Sequence, residues 1–334
     1  MKKLLFISNV SKRITNFAIP SILAGQALGY EVHLAANYSE FDKSSNKYNV
    51  KIHHIDIHRN PFNLKNIRAF FQMLYLIKKE GFDVIHCNTP VGGLLGRICG
   101  KIAKVPKVIY TAHGFHFYKG APLKNWLLYY PVEKFLSRYT DTLITINKED
   151  YERAKKSFKA GQVLYVPGVG IDTKKFADTV VDRSQKRKEL GIPESAFLLL
   201  SVGELNKNKN HETIIKALAK LNNPNIYYLI CGQGTLEQYL KELSNSLGIG
   251  DKVILAGYRN DVAEIYKIAD LFVFPSFREG LPRSMMEAMA AGLPCIASKI
   301  RGNVDLIEDK KGGFLCKPND VKGFVKAINS LYED

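Results

Sequence analysis

The sequence lacks the marks of several protein classes. Its five cysteines form no CxxC pair and its eight histidines no HExxH motif, so neither a disulfide framework nor a metal site is predicted. Scattered free cysteines are typical of a cytosolic protein (Cys87, Cys99, Cys231, Cys295 and Cys316). No apolar run approaches the ~20 residues of a membrane-spanning helix. The opening MKKLLFISNV resembles a signal peptide, but its apolar run stops at Ser8, which predicts a buried first strand.

The composition is that of an ordinary globular protein. The chain has 334 residues, of which 46% are hydrophobic and 24% charged, values that exclude disorder, collagen and coiled coil. At about 100–200 residues per domain, this length predicts two domains.

Positive charge is concentrated in the first half. The net charge is +16, and residues 1–167 hold 25 Lys and Arg against 11 Asp and Glu. Such an excess predicts a polyanionic partner. Aromatic and basic residues alternate in stretches 59–79 and 115–139, which favours an anionic membrane surface. A solvated basic face over core aromatics is the alternative interpretation. No nucleic-acid-binding signature accompanies the charge, so nucleic acid is not expected as a partner.

Short apolar runs alternate with longer amphipathic ones along both halves of the chain. This alternation predicts βαβ units and a mostly parallel sheet in each half. Residues 168–195 carry glycine, proline and charge without periodicity, and are interpreted as a linker and entry to the second domain. The predicted fold is two doubly wound, Rossmann-like α/β domains, 1–167 and 196–334, facing a cleft.

The richest segment for chemistry is FPSFREGLPRSMMEAMAAG at 274–292. A predicted strand runs into Glu279–Gly280, and Pro282 suits the start of a helix. Free N–H groups at a helix start favour a phosphate, and Glu279 and Glu287 would flank it at different depths. A pair of glutamates on a helix is otherwise more often a surface feature.

Three further segments place polar groups after strands. SVGELNKNKN (201–210) offers Lys207 and Lys209 as phosphate ligands, although solvated loop lysines are the more common case. CGQGTLEQYL (231–240) has two glycines but no GxGxxG fingerprint, which disfavours a dehydrogenase. TAHGFHF (111–117) puts His113 at the carboxyl end of a strand.

Together these segments identify a family. Residues 197–328, through VGEL…K, ICGQG, GY at 257–258, FREGLPRSMMEAM and IRGNVDLI…GGFL, resemble the nucleotide-sugar-binding half of glycosyltransferase family 4, which has the GT-B fold. The first half resembles, less specifically, the acceptor domain of bacterial capsular and exopolysaccharide transferases, through QALGYEVHLAAN, DVIHCNTP and TAHGFHFY.

The resemblance implies roles for individual residues. Glu287 would hold the ribose hydroxyls and Glu279 the donor sugar, with Lys209 neutralising the diphosphate. His113 would lie near the reacting sugar carbon, so Glu279 and His113 are the expected catalytic residues. The other expected donor contacts are Lys207, Gly280, Leu281, Gly203 and Gly232. The expected acceptor contacts are Asn9, Arg13 and His116.

The chain departs from the family pattern in three places. Glu204 stands where the family usually has an arginine, and Lys207 is the candidate replacement for that cation. The loop after the first strand, SNVSKRITN, lacks the usual glycines. The final helix that crosses back to the first domain in many members is expected to be short or absent.

The sequence predicts a retaining, metal-independent glycosyltransferase without cofactor. It would move sugar from a nucleotide diphosphate, expected to be a UDP-sugar, to a lipid-linked saccharide at the cytoplasmic membrane face. A sugar-nucleotide epimerase or hydrolase on the same fold is one alternative. A non-catalytic basic protein that binds membrane or nucleic acid is another.

Overall fold

The computed structural model describes residues 1–14 and 17–333. The chain divides into two compact units, Met1–Val169 and Gly170–Asp334. Each unit is built on one parallel sheet with helices on both faces, which confirms the predicted doubly wound architecture.

The first unit has a seven-stranded sheet in the order β3-β2-β1-β4-β5-β6-β7. Its strands are β1 (Lys3–Val10), β2 (Glu31–Asn37), β3 (Lys51–His54), β4 (Val84–Asn88), β5 (Lys107–Ala112), β6 (Thr142–Thr145) and β7 (Gln162–Tyr165). Its helices are α1 (Ile19–Ala27), α2 (Lys65–Glu80), α3 (Pro90–Ile102), α4 (Leu123–Leu136) and α5 (Lys148–Ser157). The strand order reverses between β1 and β4, the position where such sheets bind ligands.

Alternate residues of the strands divide the first unit into two cores. Leu5, Ile7 and Cys87 face the layer formed by α2, α3 and α4, whereas Leu4 and Phe6 face α1. Helix α3 lies close to the sheet because glycines replace side chains there. A Cβ on Gly96 would stand 2.4 Å from the Cys87 sulfur, and one on Gly93 2.4 Å from the Tyr110 ring.

The second unit has a six-stranded sheet in the order β10-β9-β8-β11-β12-β13. Its strands are β8 (Phe197–Val202), β9 (Ile226–Cys231), β10 (Val253–Leu255), β11 (Leu271–Phe274), β12 (Cys295–Ser298) and β13 (Gly313–Cys316). Its helices are α6 (Thr173–Ala177), α7 (Arg183–Glu189), α8 (His211–Leu221), α9 (Glu237–Ser246), α10 (Val262–Ile268), α11 (Arg283–Ala290), α12 (Asn303–Leu306) and α13 (Val321–Tyr332). Here the order reverses between β8 and β11.

Residues 168–195 contain two short helices that pack on the second unit. Helix α6 contacts α10 and α11, and α7 contacts α10. Arg187 of α7 is 2% exposed. Its guanidinium donates to the Ile268, Glu194 and Ala196 carbonyls and pairs with Asp270 at 2.8 Å. A single buried cation therefore ties this segment to the sheet.

Candidate functional site

The loops after β8 and β11 meet at the reversal point of the second sheet. Asn210 adopts a left-handed backbone (φ 55°), and its amide donates to the carbonyls of Pro275 at 3.0 Å and Pro318 at 2.9 Å. Asn208 donates to the Arg278 carbonyl at 2.9 Å and accepts from the Phe277 N–H at 2.8 Å. Three of these bonds fix the loop after β8 against the loop after β11, and the bond to Pro318 ties it to the segment after β13.

The fixed loops bring Lys209 and Glu279 together. Lys209 Nζ lies 2.8 Å from Glu279 Oε1, and the two side chains are 20% and 13% exposed. The lysine stem passes over Gly203, where a Cβ would stand 3.2 Å from Lys209 Cε, and its ammonium lies 4.8 Å from the Phe274 ring. Two residues 70 positions apart thus form one partly buried ion pair.

Gly280 and Leu281 lead from this pair into helix α11. Pro282 is the N-cap residue of α11 and makes no side-chain capping hydrogen bond, so the first N–H groups of the helix are not capped by that residue. The Gly280 carbonyl packs closely against Gly302, because a Cβ atom on Gly302 would lie only 2.4 Å from the Gly280 carbonyl oxygen. Arg301 donates through Nε to the Glu279 carbonyl at 3.2 Å and so supports the same backbone.

Glu287 lies inside α11 and is held by two neighbours. Arg283 donates to its Oε1 at 3.2 Å, and the Tyr266 hydroxyl lies 3.3 Å from its Oε2. Burial raises the pKa of Glu287, while Arg283 and Tyr266 act in the opposite direction. A carboxylate in this setting is suited to accept hydrogen bonds from a diol.

A cavity of about 390 Å³ lies beside the ends of β8 and β9 and is lined by Gly203, Gly232, Tyr258 and Arg259 among others. A Cβ on Gly232 would stand 1.8 Å from the Gly203 carbonyl oxygen. Glycine is therefore required where the two predicted donor-binding loops touch.

Substituting Gly232→Ala tests this contact. The added methyl must push the loop at Gly203 away from Lys209, so we expect destabilisation of roughly 1–3 kcal/mol together with weaker nucleotide binding. Thermal unfolding of the variant with and without UDP measures both effects. An unchanged melting temperature in both conditions would contradict the close contact.

Lys207, the predicted replacement for the missing arginine, lies elsewhere on this loop. It is exposed and lines a different cavity, of about 380 Å³, together with Phe277, Leu236 and Asn319. Its predicted contact with the donor stays a prediction.

In the first unit, His113 follows β5 and belongs to a small polar group at the carboxyl ends of the strands. Its Nε2 lies 3.0 Å from the Asn88 side-chain oxygen, and its ring lies 4.4 Å from that of Phe17. Burial, and secondarily the neighbouring His86, lowers the pKa of His113 from 6.5 to about 4. The imidazole is therefore neutral at pH 7, and its single N–H, at Nε2, donates to the Asn88 oxygen, so that Nδ1 is a hydrogen-bond acceptor.

Asn9 lies at the reversal point of the first sheet, but its oxygen is already in use. It accepts from the Gly92 N–H at 2.7 Å, and the Thr89 hydroxyl lies 2.6 Å away. Thr89 adopts φ 65°, unusual for a β-branched residue. These bonds join the end of β1 to the start of α3. Because they occupy the Asn9 side-chain oxygen, the predicted contact of Asn9 with the acceptor substrate would be made by its side-chain NH2 group.

The other two predicted acceptor residues lie on loops of the same unit. Arg13 is exposed after β1. The His116 ring stacks on Tyr129 at 4.7 Å, and its carbonyl accepts from the Asn125 side chain at 2.9 Å. No observation here tests their contact with an acceptor.

Several neighbours of the site were missed at the level of sequence. Tyr266, Asn208 and Asn210 act on the second-unit site, and Asn88 and Thr89 on the first-unit group. Asn88 and Thr89 lie in the quoted motif DVIHCNTP, so their position after a strand was a usable signal. Tyr266 is part of an ordinary amphipathic helix, and no local pattern distinguishes it.

Two searches for other kinds of site gave nothing within residues 1–14 and 17–333. No group of three or more His, Cys, Asp or Glu side chains is arranged to hold a metal ion. No helix in this part of the chain has the length and apolar character needed to cross a bilayer.

Comparison with known proteins gives a consistent result. Residues 182–334 match the family described as glycosyl transferases group 1, and residues 3–147 match that described as glycosyl transferase 4-like. The chain is 40% identical over 338 residues to the Bacillus subtilis (strain 168) protein named "Putative glycosyltransferase EpsD", covering 99% of this chain and 87% of that protein. It is 34% identical over 283 residues to the Escherichia coli UDP-Gal:alpha-D-GlcNAc-diphosphoundecaprenol alpha-1,3-galactosyltransferase, covering 83% of this chain and 73% of that protein.

Solved structures share the fold. The crystal structure of Anabaena Alr3699/HepE in complex with UDP-glucose matches with a TM-score of 0.82 at 19% identity, covering 100% of this chain and 90% of that one. WaaG, a glycosyltransferase involved in lipopolysaccharide biosynthesis, matches with a TM-score of 0.77 at 20% identity, covering 99% and 90%.

Proposed function

The chain belongs to the family 4 glycosyltransferases, which have the GT-B fold, and from this premise we propose a retaining transferase that takes its sugar from a UDP-sugar. The acceptor is a hydroxyl of a lipid-linked saccharide in the synthesis of a bacterial surface polysaccharide. The donor proposal is supported by the UDP-glucose complex of HepE, and the acceptor proposal by the diphosphoundecaprenol substrate in the name of the E. coli relative.

The observation that carries the proposal is the 2.8 Å pair between Lys209 and Glu279, which lies beside Gly203 and shortly before the N-terminus of α11. A diphosphate at this point would meet one ammonium and one helix N-terminus, both of which stabilise negative charge. Glu279 then accepts from donor sugar hydroxyls, and Glu287 accepts from the ribose hydroxyls.

In the proposed reaction the bond between the sugar anomeric carbon and the diphosphate oxygen breaks. A bond to the acceptor oxygen forms on the same face of the sugar, and the acceptor proton passes to the leaving diphosphate. Lys209 and the α11 N-terminus stabilise the charge that develops on UDP. Neutral His113 accepts a hydrogen bond from a sugar hydroxyl near the reacting carbon through Nδ1, which orients the donor without adding charge.

We propose that Lys209 and the helix N-terminus replace a divalent cation at the diphosphate. Transfer activity is therefore expected to remain within about twofold of its initial value after excess EDTA, because Lys209 and the helix N-terminus, and not a metal ion, stabilise the charge on the leaving diphosphate. The measurement is the initial rate before and after chelation. Loss of activity that Mg²⁺ or Mn²⁺ restores would contradict metal independence.

Ligand-induced stabilisation tests the donor. UDP is expected to raise the melting temperature of the chain more than GDP or ADP at equal concentration, because the nucleotide with the lowest Kd stabilises the folded state most. A ligand at 100 times its Kd contributes about 2.7 kcal/mol to the free energy of unfolding. The Glu287→Gln variant should lose most of that shift. A larger shift with GDP or ADP would reassign the nucleotide.

Product analysis separates transfer from the two alternatives. Incubation of the UDP-sugar with and without a lipid-linked acceptor, followed by NMR of the product, should show α-configured product from an α-configured donor, and only when acceptor is present. Acceptor-independent formation of a new sugar isomer would favour an epimerase, and free sugar would favour a hydrolase. Absence of turnover with every donor would favour the non-catalytic binding protein.

A further inference from the structure

Asn88 lies beside His113 at the carboxyl ends of the first sheet, and no step of the proposed reaction uses it. It is the last residue of β4 and is 2% exposed. His113 follows β5, which pairs with β4 in parallel. The Asn88 side-chain oxygen lies 3.0 Å from Nε2 of His113. A buried side chain that contacts a predicted catalytic residue from the neighbouring strand is placed to decide how that residue meets its substrate.

The orientation of the Asn88 amide follows from its second contact. The amide nitrogen lies 3.4 Å from the carbonyl oxygen of His86. A carbonyl can only accept a hydrogen bond, so the NH2 group must face His86 and the side-chain oxygen must face His113. The opposite orientation would set two oxygens against each other at His86.

This orientation determines which nitrogen of the His113 ring carries hydrogen. The Asn88 oxygen can only accept, so Nε2 of the neutral imidazole holds the hydrogen and Nδ1 holds a lone pair. The ring neighbours add no charge at pH 7. Phe17 contacts the ring at 4.4 Å between centroids. Burial lowers the pKa of His86 to about 4, and its Nε2 lies 2.8 Å from the Thr111 hydroxyl.

The backbone that follows Asn88 is held in an unusual conformation. Thr89 adopts φ 65° and ψ 155°, a region that glycine occupies and that a β-branched residue avoids. The Thr89 hydroxyl lies 2.6 Å from the Asn9 side-chain oxygen, which also accepts from the Gly92 N–H at 2.7 Å. These bonds fix the end of β4 independently of His113. Backbone strain retained at one point of a fold is typical of a functional site.

We propose that Asn88 is a positioning residue that fixes the His113 tautomer, so that Nδ1 accepts a hydrogen bond from a hydroxyl of the donor sugar. The inference deepens the proposed function and rests on its assignment of His113 to the sugar. Without the Asn88 oxygen, the ring hydrogen is free to move to Nδ1, and the nitrogen that meets the sugar is no longer defined. The donor sugar must therefore present a hydrogen-bond donor at this point.

The ¹⁵N resonances of the imidazoles test the tautomer without any substrate. At pH 7.5 we expect a protonated Nε2 and an unprotonated Nδ1 for His113, assigned by the loss of these signals in His113→Gln. Asn88→Leu, which keeps the approximate volume and removes the oxygen, should give averaged signals from both tautomers. Asn245→Leu, at an exposed position of α9, is the matched control and should change nothing. A protonated Nδ1 in the unaltered chain, or unchanged signals in Asn88→Leu, overturns the inference.

Steady-state kinetics with the UDP-sugar and acceptor test the positioning role. Asn88→Leu should lower kcat about tenfold, the effect of losing one hydrogen bond. KM for the UDP-sugar should change less than threefold, because the orientation of the sugar, and not the binding of the nucleotide, depends on Nδ1. In the His113→Phe background, which has no ring nitrogens, the same Asn88→Leu change should cost less than twofold.

The Asn88→Asp variant keeps an acceptor at the same place and adds a pH readout. A carboxylate beside Nε2 raises the pKa of His113, and a protonated imidazole carries hydrogen on both nitrogens. The kcat of this variant should approach that of the unaltered chain at pH 8.5 and fall as the pH is lowered to 6. The unaltered chain should show no such fall, because burial lowers the pKa of its His113 to about 4. An equal fall in both enzymes contradicts the inference.

The outcomes distinguish this inference from the proposed function. If His113→Phe keeps full activity, the assignment of His113 to the donor sugar fails, and the inference fails with it. If His113→Phe loses activity but Asn88→Leu costs the same with and without the His113 ring, Asn88 has a merely structural role. In that case the inference alone is overturned and the proposed function stands.

Discussion

The Lys209→Met variant is expected to lose about a thousandfold in kcat/KM, equivalent to ~4 kcal/mol of transition-state stabilisation. Methionine keeps the stem that packs over Gly203 and Phe274 but removes the ammonium that faces Glu279. The diphosphate then approaches an unpaired carboxylate, so charge repulsion adds to the loss of attraction. Most of the loss should be in kcat, because negative charge increases on the leaving group as the sugar bond breaks.

Initial rates over a range of donor concentrations measure this loss. Lys216→Met is the matched control, since Lys216 is an exposed lysine of α8 paired with Glu212, and its kcat/KM should stay within twofold. Lys209→Arg should retain part of the activity by keeping the positive charge. A Lys209→Met enzyme with nearly full activity would place the leaving group elsewhere.

The second large expected effect is acid destabilisation. Burial lowers the pKa of His86, His113 and His211 from 6.5 to about 4 in each case. The unfolded chain therefore binds more protons than the folded chain below pH 6.5, and the stability that these groups contribute is lost as the pH falls from about 6.5 to about 4. At pH 5 we expect a loss on the order of 1–2 kcal/mol for each histidine.

Urea unfolding at pH 7.5 and pH 5.0 measures the difference. His86→Gln, which can keep a hydrogen bond to Thr111, should reduce the loss in the first unit, whereas His58→Gln, at an exposed position, should leave it unchanged. Equal stability at the two pH values would show that these imidazoles are accessible to protons in the folded state.

The architecture could be predicted well because its signals are local. Apolar runs of four to eight residues between amphipathic segments predict parallel strands wherever they occur. In α8, α10 and α13 the buried apolar residues recur at helical spacing, which makes these segments recognisable in the sequence. Helices α4 and α5 were not predicted, because exposed leucines, an internal Pro131 and a lysine-rich face obscure their periodicity.

The sequence by itself determined the two-unit α/β fold, the family and the positions of Lys209, Glu279 and Glu287, since each depends on short motifs and their order. Only the tertiary structure decided that Lys209 pairs with Glu279, that Tyr266 contacts Glu287 and that Lys207 lines a separate cavity. These relations join residues on different loops and helices, and the packing of the sheet and of close-approaching glycines such as Gly203 and Gly232 sets their distances. A linear pattern carries no information about such distances.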